Sequence, residues 1–384
     1  MKSAQSGTKA PAVTSVFLSD EDAIERIFHH MDNGTTDEGD TVWREPVEHY
    51  FSQERFEAEI ALLRRLPVPY CPSAALTEPG SFVARTAAGT PLLVVRGKDG
   101  KVRAFINACR HRGMQVATGT GDANSFSCPY HAWTYNLEGD LRAVPGKEGF
   151  EDLDPAEYGL AEVSAVERGG IVYVQQEGEI SREQSDLFLD YFPTGQQFFE
   201  QEDLEDEANW KILNETLQEG YHIKSLHRET FFPYGLDNTN VVELHGANSR
   251  VIFPFRRIEK LREVPPAERK LPGVTTVLHH LFPNASISKL SKHTNLVILE
   301  PLSPTRSRWV IYSMIGESAT DTPITLEDAQ RDVRFVNDFG QDEDRAAARA
   351  IQQTLDTRAN THLTFGYYES AIVNFHKHLS LHLD

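Results

Sequence analysis

Cys109 and His111 stand two positions apart in "NACRHRG", and Cys128 and His131 stand three apart in "CPYHAW". Two thiolates and two imidazoles on neighbouring stretches form a metal-binding set. Zinc takes such a set tetrahedrally, usually with the cysteines as one pair and the histidines as the other. Here each half supplies one of each. That interleaving suits a two-iron cluster in which one iron takes both thiolates and the other both imidazoles. Gly113 and Pro129 favour tight turns, which aim backbone amides at sulfur. Arg110 and Arg112 favour the reduced, more negative state and offer a docking charge to a partner.

A second constellation lies in "NETLQEGYHIKSLH", where Glu219, His222 and His227 follow one another. On a helix, Glu219 and His222 share a face. His227 is about 140° further round than His222 at ~3.6 residues per turn. Both histidines reach one metal only if the helix breaks, and the break is predicted near Lys224–Leu226. Two histidines and a carboxylate make the facial triad of non-haem Fe(II) sites, which leaves positions open for O2 and substrate. The third ligand must come from elsewhere in the chain.

The elements that position these residues follow from composition and periodicity. A length of 384 residues suggests two domains or one large one. The net charge of −19 argues against nucleic-acid binding. No run reaches the ~18 apolar residues of a membrane span, and the N-terminus lacks a secretory apolar region, so a cytoplasmic protein is expected. Cys71 reads as a small buried filler. Residues 1–16 read as a mobile tail. "LSDEDAIERIFHHM" and "SQERFEAEIALLRRL" read as serine-capped helices. Short β-rich runs separated by turn dipeptides then mark a small all-β module. "ISREQSDLFLDYF" reads as helix and "EQEDLEDEANW" as a solvated acidic loop. "WKILNETLQEGYHIKSLH" reads as a strand leading into a helix. Residues 240–315 alternate as an antiparallel sheet, and the last seventy are helical.

With both motifs in view, "NACRHRG…CPYHAWTY" resembles the Rieske domain of the Rieske non-haem iron aromatic-ring-hydroxylating oxygenases, and the likeness runs over roughly residues 45–384. The segment "ALLRRLPVPYCPSAALTEPGS" departs from the family, which commonly carries a tryptophan there. The resemblance implies an α+β fold: an all-β Rieske [2Fe-2S] domain plus a helix-grip catalytic domain, an antiparallel sheet with helices. Residues 1–66 would be the tail and N-terminal helices packed on the catalytic domain. Residues 67–180 would be the Rieske domain and residues 181–384 the mononuclear iron domain. Cys109, His111, Cys128 and His131 would hold the cluster; His222, His227 and Asp344 would hold Fe(II). Asp344 comes from aligning the family's acidic pair with Glu343-Asp344; Asp342 is the next candidate and Asp338 a weaker one. Glu219 would bridge His131 of one subunit to His222 of the next, and Asn214 would sit near the iron or cap a helix.

The family also implies O2 as co-substrate and a small-molecule substrate. Electrons come from NAD(P)H only through a separate reductase, with or without a ferredoxin. A homo-oligomer, a homotrimer by preference, is implied, and a small β-subunit is compatible. An aromatic or other hydrophobic ring substrate is slightly favoured. Most members carry aspartate at the bridge. Glutamate there is shared with the branch that oxidises carnitine, choline and glycine betaine, which gives the alternative of a quaternary ammonium substrate. Phe231, Phe232, Tyr234, Phe253 and Phe255 are candidate pocket aromatics for either. His279 and His280 lie on a strand expected to line the cavity, one of them facing solvent. Trp210 reads as packing, the pair Arg331-Asp332 as a solvated helix face, and His376, His378 and His382 as surface positions. Competing classes are a Rieske electron-transfer protein without oxygenase chemistry and a two-site zinc protein.

Overall fold

A computed structural model describes residues 16–383, the side chains of residues 338 and 339 excepted. The tail expected over residues 1–16 lies outside the described residues but for Val16. Helix α1 (Asp20–Asn33) and helix α2 (Gln53–Arg65) begin at the expected serines. Ser19 Oγ accepts the Asp22 N–H at 3.1 Å and Ser52 Oγ that of Arg55 at 3.2 Å, satisfying N–H groups that a helix start leaves without partners. Helix α1 buries Ile24, Ile27 and Phe28 against Val241 and Ile252 of the C-terminal half, each side chain contributing about 1.5–3 kcal/mol.

The β-rich module is an antiparallel seven-stranded sheet. Its spatial order is Val68–Pro72, Ile171–Gln175, Glu162–Arg168, Val102–Ile106, Thr90–Arg96, Ser81–Ala87 and Gly119–Asp122. A small three-stranded sheet of Phe126–Ser127, Thr134–Tyr135 and Leu141–Ala143 stands beside it. The missing tryptophan leaves no gap: Val68–Pro72 is buried throughout, and Cys71 is fully buried as a core filler.

The C-terminal half is built on a second antiparallel sheet, ordered Phe198–Asp206, Arg306–Ile315, His293–Ser303, Ala285–Lys289, Thr275–Leu281, Asn248–Pro254 and Val241–His245. Its central strands read "NLVILE" and "WVIY" because both faces are covered. Val297, Leu299, Trp309 and Ile311 point to the helices. Their alternates Leu296, Ile298, Val310 and Tyr312 point to the β-rich module and share one core with Leu92, Val94 and Ile171. Arg85 and Glu300 join the two sheets at 2.6 Å, with Arg85 4.2 Å from the Tyr70 ring centroid and Glu300 also accepting the Ala88 N–H. A buried pair of this kind is costly to break from one side only.

Three local expectations are corrected. The acidic run is no loop: Phe198–Asp206 is an edge strand, paired with Arg306–Ile315, and Glu205 meets Arg306 and Arg308 at 2.8 and 2.6 Å. Cross-strand pairing outweighs the low strand propensity of acids. Between residues 180 and 192 only α3 (Arg182–Ser185) is α-helical. The strand expected from Trp210 is instead α4 (Trp210–Leu217), because Asn209 accepts the Lys211 N–H and caps it. Trp210 is buried as packing, its Nε1 donating to Glu59 at 2.8 Å. A short α5 (Ile223–Leu226) follows, and α6 (Leu326–Val336), α7 (Asp342–Leu355) and α8 (Ser370–Leu383) close the chain. A wide turn at Asn337–Gln341 joins α6 to α7 without breaking the helical run.

Candidate active site

The two Cys/His stretches fold into matching loops. In the first, Cys109 N–H donates to Met114 O at 2.8 Å and Gly113 N–H donates back to Cys109 O at 2.8 Å. In the second, Cys128 N–H donates to Trp133 O at 2.8 Å and Ala132 N–H to Cys128 O at 2.9 Å. Gly113 and Ala132 supply the positive φ that each turn needs, 81° and 55°. Asn107 pins the first loop by accepting the Val116 and Ala117 N–H groups and donating to Ala117 O. Both cysteines are buried and free. The His111 and His131 rings meet edge to face with centroids 4.7 Å apart, and His111 stacks on Trp133 at 4.9 Å. His111 Nδ1 is buried without a hydrogen-bond partner, which an imidazole bound to metal through that nitrogen explains. The Tyr135 hydroxyl accepts the Arg110 N–H at 2.9 Å and lies 3.3 Å from Cys109 Sγ. Its own hydrogen is thus left for the sulfur. These four residues fit a [2Fe-2S] cluster.

The second site forms where α4 ends. The Glu219 carboxylate accepts the N–H groups of Tyr221 and His222 and also bonds His222 Nδ1. The expected shared helix face for Glu219 and His222 is therefore replaced by a turn, and the break falls at Gln218–Tyr221, not at Lys224–Leu226, which lies inside α5. Gly220 permits the turn: a Cβ there would meet the Asn240 side chain at 2.6 Å. His222 and His227 flank α5 with rings 5.1 Å apart.

Asp344, on the first turn of α7, completes the set. Its Oδ1 lies 3.4 Å from His222 Nε2 and 3.0 Å from His227 Nε2, yet has no hydrogen-bond partner although buried. Metal–donor bonds of about 2.1 Å at right angles place neighbouring donors about 3.0 Å apart, so the three residues fit one mononuclear metal. Burial opposes charge on His222, but Asp344 and Glu219 outweigh it and raise the imidazole to about 10. Such excess negative charge calls for a cation. Asp342 points outward, 70% exposed, to Arg345 at 3.3 Å; the side chain of Asp338 lies outside the described residues.

Glu343 was missed at the sequence level. It accepts from His227 Nδ1 at 2.8 Å and from Thr230 Oγ1 at 2.6 Å. Each metal-facing histidine thus has its own carboxylate behind it, Glu219 for His222 and Glu343 for His227. The clue was the acid next to Asp344, since ligand histidines need a partner that fixes the tautomer. Glu343→Ala, which removes the acceptor behind His227 altogether, will weaken iron binding about 10–100-fold with the cluster spectrum unchanged, as an iron titration will read; unaltered iron affinity would refute the role.

A cavity of about 690 Å³ opens from the metal-facing edge of His222 and His227. Phe231, Tyr234, Phe253 and Phe255 line it as expected, joined by Trp309 and Phe335; Phe232 does not, and packs under Arg256 instead. Asn214 is buried on α4 and does not line the cavity, which removes its support as a site residue. His279 and His280 are both buried, neither facing solvent nor the cavity, and burial lowers them to about 3 and about 4. His376 is not a surface residue: it is buried between Glu215 at 2.9 Å and Glu45 at 3.4 Å. Asp332 is no solvated face either; it lines the cavity and accepts from His293 Nδ1 at 2.8 Å.

Comparison with known proteins agrees with this arrangement. Residues 67–178 match the Rieske [2Fe-2S] domain, and residues 197–384 match the ring hydroxylating alpha subunit (catalytic domain). Choline monooxygenase of Spinacia oleracea is 24% identical over 304 residues, 74% of this chain and 65% of the relative. The carnitine monooxygenase oxygenase subunit of Acinetobacter baumannii is 29% identical over 203 residues, 49% of this chain and 53% of the relative. The matches thus span less than two thirds of these relatives' length. The quaternary ammonium Rieske monooxygenase CntA in complex with L-carnitine superposes with a TM-score of 0.73 at 19% identity, covering 95% of this chain and 99% of CntA. Naphthalene 1,2-dioxygenase from Rhodococcus sp. gives 0.72 at 20% identity over 94% and 98%. These two likenesses establish the fold alone. With cluster loops, triad geometry and both domain matches in agreement, the chain belongs to the family of Rieske non-haem iron oxygenase alpha subunits.

Proposed function

We propose that this chain is a terminal oxygenase: it takes electrons from a separate NAD(P)H-linked reductase and uses O2 to hydroxylate a small organic substrate. The observation that carries this is the His222–His227–Asp344 set on the same chain as the Cys/His loops. A Rieske electron carrier needs only the loops. When bound, the cluster supplies single electrons and the iron a redox-active centre with positions open to O2 and substrate. Tyr135 stabilises the reduced cluster by donating to Cys109 sulfur. Glu219 and Glu343 hold the Nδ1 protons so that both Nε2 atoms face the metal. The apolar cavity excludes water around the bound substrate.

No hydrogen bond or ring contact among the described residues joins His111 or His131 to Glu219 or His222. His131 is exposed beside exposed Tyr130, and Glu219 lies beside exposed Tyr221. We place Glu219 as the bridge to His131 of a neighbouring copy, in a head-to-tail contact that closes into a ring, a homotrimer. No described helix is long and apolar enough to cross a membrane. Three free cysteines, two of them cluster ligands, suit the reducing cytoplasm.

The relatives named for choline and carnitine, together with glutamate at the bridge, favour a quaternary ammonium substrate. Tyr234 and Phe335 meet edge to face at 5.9 Å beside Phe231, a corner whose ring faces suit such a cation. The ring substrate, slightly ahead on sequence, becomes the second reading; the apolar walls favour it. The test is metal content and coupled turnover. About three irons and two acid-labile sulfides per chain, with NADH consumption matched by product when a surrogate reductase is supplied, are expected. Two irons and no mononuclear site would leave an electron carrier, and a colourless sample a zinc protein.

A further inference from the structure

We infer that the substrate is elongated and carries an anionic end, held by Arg257 and Lys292 at the part of the cavity far from the metal site; this rests on the cavity being the substrate site. The chain has 57 acidic against 38 basic residues, and most of its arginines near acids are paired with them. Arg256, Arg257 and Lys292 all line the cavity and make no ion pair among the described residues. The acid beside them, Asp332, accepts from His293 Nδ1 at 2.8 Å and the Lys292 N–H at 2.7 Å and favours the charged form of Arg257, but it offsets at most one of the three cations. Arg257 is held in place, donating to Ser291 Oγ at 2.8 Å with its guanidinium 4.8 Å from the Phe255 ring centroid. Positive charge is thus left over in an acidic protein, at one end of a largely apolar cavity. An anion is the ligand that completes it.

The two ends are far apart. Asp332 and Asp344 lie on the α6–α7 run, twelve positions from each other, which is at most about 18 Å along a helix. Arg257 and Lys292 sit at the Asp332 end, the Lys292 N–H donating to Asp332 and Arg257 to the neighbouring Ser291. The Glu219 and Asp344 carboxylates would offset the charge of a bound Fe(II), which leaves the uncompensated positive charge at the Arg257 and Lys292 end, so the charge fixes which way the substrate lies. A compact molecule reaches one end only; an extended one reaches both.

The experiment uses the iron-loaded holoenzyme and two ligand series, ω-trimethylammonio carboxylates and ω-phenyl carboxylates with short to long spacers. Each is compared with the primary alcohol that replaces its carboxylate. Calorimetry reads affinity for the wild type and for the Arg257→Met/Lys292→Met double variant, whose cluster absorbance and iron content report its folding. The carboxylate should bind about tenfold or more tighter than its alcohol, but only once the spacer is long. The double variant should lose that preference and keep its affinity for the alcohols. An absent preference, a preference largest at the shortest spacer, one unchanged in the variant, or no binding by either series overturns the inference. Long carboxylates that bind as described but give no oxygenated product refute the oxygenase reading and leave the anionic end standing.

Discussion

Asp344→Ala will leave about two irons per chain where the wild type holds about three, with the cluster spectrum intact and product formation lower by at least about 10³-fold. Among the described residues, Asp344 Oδ1 is the carboxylate oxygen that faces both Nε2 atoms, at 3.4 and 3.0 Å, and it makes no other bond there. Glu219 and Glu343 cannot replace it, because each already faces the far nitrogen of its histidine. Asp342→Ala is the matched control. That side chain is 70% exposed on Arg345, so its loss should change neither iron content nor rate. Iron analysis beside cluster absorbance separates loss of the ligand from loss of the fold. Full iron in the Asp344 variant, or iron lost from the Asp342 variant, would move the third ligand elsewhere.

The reason Asp344 was harder to read than the histidines lies in helix phase. Asp342, Glu343 and Asp344 are successive acids, turned about 100° from one another, and each does something different: solvent and Arg345, His227 Nδ1, and the metal-facing edge. The wide turn at Asn337–Gln341 shifts that phase, and no residue in "NDFGQ" announces it. The cluster ligands were legible because loops hold them at short fixed spacing, so type and order alone say what they bind. The sheet was legible in its apolar strands, although not the reason both faces of "NLVILE" are apolar: one faces the helices and the other the Rieske module.

Where the reading failed, long-range polar contacts had decided the outcome. Asp332 looked like one more charge on a solvated helix until His293, 39 positions away, was found bonded to it. His376 looked terminal and exposed, but Glu45 and Glu215 from distant segments hold it inside. The acidic strand Phe198–Asp206 looked like a loop because its partners, Arg306 and Arg308, lie a hundred residues on. Local propensity carries no record of such pairings.

Glu219→Gln will keep both metals and lose most turnover, by about 10–100-fold, the usual cost of altering a group behind a ligand histidine. Glutamine has nearly the same shape, and its amide oxygen can still accept from His222 Nδ1, so the imidazole keeps its orientation and the iron stays. What disappears is the negative charge and the second accepting oxygen, which in the native protein takes the Tyr221 and His222 N–H groups. If Glu219 only supports the turn, the variant loses iron and the rate falls in proportion to occupancy. If it couples adjacent subunits, occupancy is full and the defect lies in electron delivery. Pre-reduced enzyme mixed with substrate and O2 distinguishes these: the cluster should stay reduced and bleached in the variant, whereas the absorbance of the oxidised cluster returns quickly in the wild type. Turnover at the wild-type rate with coupled NAD(P)H consumption would remove Glu219 from the path, and the proposed ring contact would then have to rest on other residues around exposed Tyr221 and Tyr130.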